Sequence, residues 1–80
     1  MQPADPPPDW LLPRRRAVGD RIRTLRMHAN LTQEHLGERA GVDRQQVNRI
    51  EQGHVSPRLD TLLRLADALD VHLSDLVRHE

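Results

Sequence analysis

This chain contains no cysteine, no lysine, no phenylalanine and no tyrosine. The lack of cysteine excludes a disulfide framework, a thiolate nucleophile and a cysteine-based zinc site, and it fits a reducing, cytoplasmic setting. With Trp10 as the sole aromatic and only 36% of the 80 residues apolar, any core must be built from Leu, Ile, Val and Ala. A chain of this size forms one thin-cored domain, which association with a second copy would reinforce. No run approaches the roughly 20 apolar residues that cross a bilayer, so no membrane partner is expected. The first thirteen residues are proline-rich and acidic, unlike the basic and then apolar order of a secretory signal.

The formal net charge is zero, yet the charges are sorted along the chain. Residues 1–13 carry Asp5 and Asp9, for −2. Residues 14–31 carry Arg14, Arg15, Arg16, Arg21, Arg23 and Arg26 against Asp20, for +5; residues 32–58 balance, and residues 59–80 carry −3. Such a dipolar field lets one end of the molecule face phosphate while the other faces away from it.

Residues 1–13 hold five of the six prolines, including Pro6-Pro7-Pro8, and read as an extended, polyproline-like arm ahead of a folded domain at 14–80. Trp10-Leu11-Leu12 interrupts the arm. Either these residues fold back to cover a neighbouring helix, or they anchor a protein partner or a second protomer. A helical period begins after Pro13, with Val18, Ile22 and Leu25 on one face, and Asn30 ends it. Thr32 caps a second helix, stapled by Leu31 and Leu36 and ended by Gly41. Asp43 caps a third, with Gln46 placed for a capping box, Val42 and Val47 for a staple, and Gly53 as the stop. Ser56-Pro57 has the chemistry of a fourth helix start. Leu59, Leu62, Leu63, Ala66 and Leu69 then draw an apolar stripe that Leu65 widens. A last short helix runs from Leu73 to about Arg78.

The third helix carries the polar chemistry. Val47 and Ile50 define its inward side, and at about 100° per residue Gln45, Asn48, Arg49 and Gln52 fall on the outer side, with Arg44 on the flank. Arginine can pair bidentately with guanine, and glutamine or asparagine with adenine, in a major groove.

Leu31-Thr32-Gln33-Glu34-His35-Leu36, Ala40-Gly41-Val42-Asp43-Arg44, Arg49-Ile50-Glu51-Gln52-Gly53 and Leu59-Asp60-Thr61-Leu62-Leu63 together resemble the Cro and phage-repressor (XRE-type) helix-turn-helix family. Gly19 to Arg26 resembles its first helix, and the likeness covers about residues 17–78. The resemblance implies an all-α, five-helix, lambda-repressor-like fold with the third helix in the major groove of double-stranded DNA. It implies base reading by Arg44, Gln45, Asn48 and Arg49, and phosphate contacts from Thr32, Gln33, His54, Ser56 and Arg58. It also implies an ion pair between Arg26 and Glu51. Asn30 and Asp70 stand where the family often has glycine, and His72 replaces its frequent serine cap. The arm has no family counterpart.

The function expected is a transcriptional regulator acting as a homodimer on a near-palindromic operator, with Leu69, Val71, Leu73, Leu76 and Val77 as the dimer surface. An antitoxin that binds a toxin and its own promoter, a restriction-modification controller, and a protein-only module are the alternatives. His28, His35, His54, His72 and His79 lack ligand spacing, so no metal is expected. No cofactor or catalytic fingerprint is present either, so an enzyme is not expected.

Overall fold

The computed structural model describes residues 5–78; the first four residues of the expected arm, and His79, lie outside them. Five helices follow in order: α1 Leu11–His28, α2 Gln33–Ala40, α3 Arg44–Glu51, α4 Leu59–Ala68 and α5 Leu73–Val77. No strand occurs among the described residues. The all-α, five-helix architecture is the one expected.

The short helices are started and stopped by their own sequence. The Thr32 hydroxyl accepts from the His35 N–H at 3.0 Å, and the Asp43 carboxylate accepts from the Gln45 N–H at 2.6 Å. The reach-back expected from Gln46 is not among the hydrogen bonds of α3, whose cap therefore rests on Asp43 alone. At the other ends, α1, α2, α3 and α4 stop alike. One left-handed residue, Asn30, Gly41, Gly53 or Asp70, turns the chain at φ of 59°, 70°, 74° and 57°. The next N–H then returns to a carbonyl of the last turn: Leu31 to Arg26 at 3.1 Å, Val42 to Gly37 at 2.8 Å, His54 to Arg49 at 2.9 Å and Val71 to Ala66 at 3.0 Å. Asn30 and Asp70 thus do the work of glycine, as their tolerance of positive φ allows. His72 is not left uncapped, because the Asp75 carboxylate accepts its N–H at 3.0 Å.

Ile22, Leu36, Val47, Ile50, Leu65 and Leu76 are fully buried and bring all five helices to one aliphatic core. Each contributes about 1.5–3 kcal/mol relative to exposure. Helices of five to ten residues such as α2 to α5 cannot persist alone, so this burial is what makes them stable.

Four local expectations are corrected. First, α1 begins at Leu11, so residues 11–13 are helical and not part of an extended arm. Pro13 is tolerated because its missing N–H falls in the first turn, where no intrahelical acceptor exists. Second, α4 begins at Leu59 and not at Pro57. Val55 and Pro57 are held half-buried, and the backbone is still extended at Arg58. Third, the buried stripe of α4 is Leu65, Ala66 and Leu69, with Leu62 half-buried, while Leu59 and Leu63 are 61% and 46% exposed. Fourth, Trp10 does not fold back to cover the core but stands 63% exposed.

Helix α1 crosses α3 at Gly19. A Cβ there would meet the Ile50 carbonyl oxygen and lie 2.7 Å from that of Glu51, both main-chain atoms with no freedom to swing aside. Alanine in a helix interior ordinarily gains about 0.5–1 kcal/mol over glycine. Overpacking costs about 1–3 kcal/mol, and here it wins. Gly19→Ala should therefore lower the urea midpoint of unfolding; a raised midpoint would show that the two helices are not in contact at this point.

Candidate nucleic-acid interface

The close approach at Gly19 brings Arg26, two turns further along the same side of α1, to the C-terminal end of α3. There Glu51 is the one charged residue that is buried among the described residues, its side chain 1% exposed. Arg26 meets it with two parallel bonds, Nε to Oε2 at 2.7 Å and Nη2 to Oε1 at 3.0 Å. The remaining guanidinium nitrogen, Nη1, donates to the Leu31 carbonyl at 2.8 Å. Gln33, at the start of α2, adds a third donor to the carboxylate, Nε2 to Oε1 at 3.1 Å, and donates to Asn48 Oδ1 at 3.1 Å as well. No buried side-chain polar atom is left without a partner among the described residues. The expected pair of Arg26 and Glu51 is thus present, inside a larger cluster that joins α1, α2 and α3.

The opposite side of α3 is open. Arg44, Gln45, Asn48, Arg49 and Gln52 are all exposed, whereas Val47, Ile50 and Glu51 are buried. Gln33, Arg44, Gln45, Asn48 and Arg49 line a single shallow polar hollow of about 390 Å³. The structure therefore gathers all four expected base readers and one expected phosphate contact in one place. Asn48 accepts from Gln33 through Oδ1, which has a second lone pair, and its amide hydrogens are not used in that bond.

The expected phosphate contacts are less uniform. Both amide hydrogens of Gln33 are engaged, with Asn48 and with Glu51, so its side chain is a strut in this state. Its main-chain N–H, in the first turn of α2, is one of the donors that a helix N-terminus leaves without an intrahelical acceptor. The Thr32 hydroxyl accepts from the His35 N–H and keeps its own proton to donate. His54, Ser56 and Arg58 are exposed in the loop between α3 and α4, outside the polar hollow. Of the expected dimer residues, Leu69 and Leu76 are corrected: both are buried in the core of the single chain. Val71 and Leu73 are half-buried against that core, and Val77 is exposed.

Sequence reasoning missed two arginines of α1. Arg15 Nε donates to the Gly53 carbonyl at 2.9 Å and so ties α1 to the turn that ends α3, while Arg21 Nε donates to the Asp75 carbonyl at 2.9 Å. Their positive charge was visible in the sequence, but their acceptors are main-chain oxygens more than thirty residues away, which no side-chain pattern marks.

Two helices joined by a tight turn, with a braced inner side and an open polar outer side, define the helix-turn-helix class of DNA-binding domain. A helix-turn-helix family model matches residues 22–76. The immunity repressor protein of Bacillus phage phi105 is 38% identical over 63 residues, a stretch that takes in 79% of this chain and 44% of the repressor. The chain thus spans less than half the length of that relative. The restriction-modification controller protein C.AhdI from Aeromonas hydrophila superposes with a TM-score of 0.76 at 36% identity, over 80% of this chain and 96% of its own. The P22 c2 repressor, solved in complex with a synthetic operator, does so with a TM-score of 0.73 at 28% identity, over 79% of this chain and 96% of its own. The chain belongs to the helix-turn-helix family.

Removing the carboxylate of Glu51 would leave the part-buried Arg26 guanidinium without its counter-charge; breaking one partner of such a largely desolvated pair costs about 3 kcal/mol or more. Glu51→Ala should therefore lower the melting temperature by more than about 10 °C, at about 4–8 °C per kcal/mol for a domain of this size. An unchanged melting temperature would contradict the bracing role of the cluster.

Proposed function

We propose that this chain is a non-enzymatic, cytoplasmic transcriptional regulator that binds a near-palindromic operator in double-stranded DNA as a homodimer. The observation that carries the reading is the division of α3 into two sides. The inner side is locked to α1 and α2 through Glu51, and the outer side offers Arg44, Gln45, Asn48 and Arg49 together in one open hollow. Groups held at their bases by a rigid helix meet base edges with little ordering cost. Arg49 and Arg44 suit guanine, and Gln45 and Asn48 suit adenine. Thr32, the main-chain N–H of Gln33, His54, Ser56 and Arg58 flank that surface as phosphate contacts, which set register without reading sequence.

A dimer brings two such helices to successive major grooves, about one helical turn apart. Its support here is the apolar surface the single chain leaves bare, Trp10, Leu59, Leu63 and Val77 among it. A controller of a restriction-modification system is the second reading, favoured by the match to C.AhdI over nearly all of that protein. The same interface serves either role.

Alanine substitutions separate the two kinds of contact. Arg49→Ala should weaken binding to the selected site by about 1–3 kcal/mol and relax the preference at one base position. Arg58→Ala should weaken binding to all sequences alike and lower the slope of log affinity against log salt by about 1. Fluorescence anisotropy with matched and mismatched duplexes over a salt series reads both. Equal losses on every sequence for Arg49→Ala would remove it from the base-reading set.

A further inference from the structure

Beside the interface, α1 borders a groove that shares only Ser56 with the surface read as meeting DNA. Leu11, Val18, Ile50, Pro57, Leu62 and Val77 give it an apolar lining around a volume of about 310 Å³. That is within the range of roughly 300–1,000 Å³ of pockets that hold organic groups. Arg14 and Arg15 also line it. A second hollow of about 260 Å³ shares Arg14, Val18 and Val77 with it and continues along α1 to Arg21. Neither hollow is lined by a carboxylate. Arg15 and Arg21 spend one nitrogen each on a neutral carbonyl, so their positive charge is not cancelled by those bonds. The groove thus joins an apolar lining to uncancelled positive charge.

The chain carries the complement of this groove a few residues away. Asp5 and Asp9 bracket Pro6-Pro7-Pro8, and Trp10 follows at once. The segment offers an anionic stem, a stiff backbone and one large apolar ring. Trp10 does not line the groove of its own chain, although its neighbour Leu11 does. Its backbone is nonetheless fixed, with the Leu11 N–H donating to the Pro8 carbonyl at 3.0 Å and the Arg14 N–H donating to the Trp10 carbonyl at 3.3 Å. An aromatic side chain held out into water from an ordered turn loses little freedom when it docks, and burying an indole is worth more than burying any other side chain.

We propose that Trp10 of each protomer seats in the α1 groove of a second copy, with Asp9 facing the arginines that line it. The exchange is reciprocal, so both seats are filled by one two-fold arrangement. It rests on the homodimer reading above and assigns that dimer a surface different from the α4 and α5 residues read from the sequence.

Because Trp10 is the one aromatic residue, its fluorescence reports the seat directly. Sedimentation and tryptophan emission are measured together on the full chain over a dilution series. The wild type should show emission moving to the blue as the dimer forms. Trp10→Ala should raise the dimer Kd about tenfold or more, as expected of a central aromatic anchor. Arg14→Glu should also weaken the dimer, and adding Asp9→Arg to it should restore association. Helical circular dichroism of each variant checks that the monomer stays folded, and Trp10 is exposed enough for its loss to leave the core intact. A dimer Kd unchanged by Trp10→Ala, emission that stays solvent-exposed in the dimer, or a wild type that remains monomeric would each overturn the proposal. DNA binding is scored separately on the same samples. A dimer with a seated Trp10 but no affinity for any duplex would sink the operator reading and leave this one standing.

Discussion

The buried carboxylate of Glu51 is the constraint on which the rest of the structure depends. It ends α3, and its two oxygens take three hydrogen bonds, two from α1 through Arg26 and one from α2 through Gln33. A charge out of water is unfavourable unless geometry and hydrogen bonding are complete. Here the guanidinium meets it in a parallel pair, and its spare nitrogen satisfies the Leu31 carbonyl at the turn between α1 and α2. One cluster thus sets the positions of three helices. Apart from the Gln33 bond to Asn48, it leaves the outer surface of α3 free, which is the condition for that surface to meet another molecule.

Close backbone approach makes the cluster reachable. Gly19 lets α1 lie against the carbonyls of Ile50 and Glu51, and Gly37 lets α2 lie against that of Val42. Around these contacts the chain is divided into short rods by four left-handed residues. None of α2 to α5 is long enough to hold itself together, so helix formation, core burial and the ion pair depend on one another. The site is therefore as rigid as the fold.

Much of this was legible because local chemistry and global packing agree. Thr32, Asp43, Gly41 and Gly53 mark helix ends by mechanisms that act within a few residues, and each marks the boundary observed. The outward placement of Gln45, Asn48 and Arg49 followed from helical geometry once Val47 and Ile50 were taken as inward. The illegible parts are those decided by distant residues. Ser56-Pro57 has the chemistry of a helix start, but the half-buried Val55 and Pro57 keep the chain extended to Arg58. Leu69 and Leu76 were read as surface because a small chain has apolar residues to spare; in fact they complete the core, and Trp10, Leu59 and Leu63 are the ones left out. Hydrophobic spacing shows that a stripe exists and not which of its members is covered. Gln33 was legible as a phosphate contact that the family resemblance implies, and its engagement of both Asn48 and Glu51 required the tertiary structure.

Helix α3 is one rod with a locked inner side and an open polar outer side proposed to read sequence. Selection of bound duplexes from a random pool tests this most directly, because it asks for affinity, sequence preference and symmetry at once. Enrichment of two inverted half-sites whose centres lie about 10 base pairs apart is the expected result. A pool that emerges without a motif would contradict it.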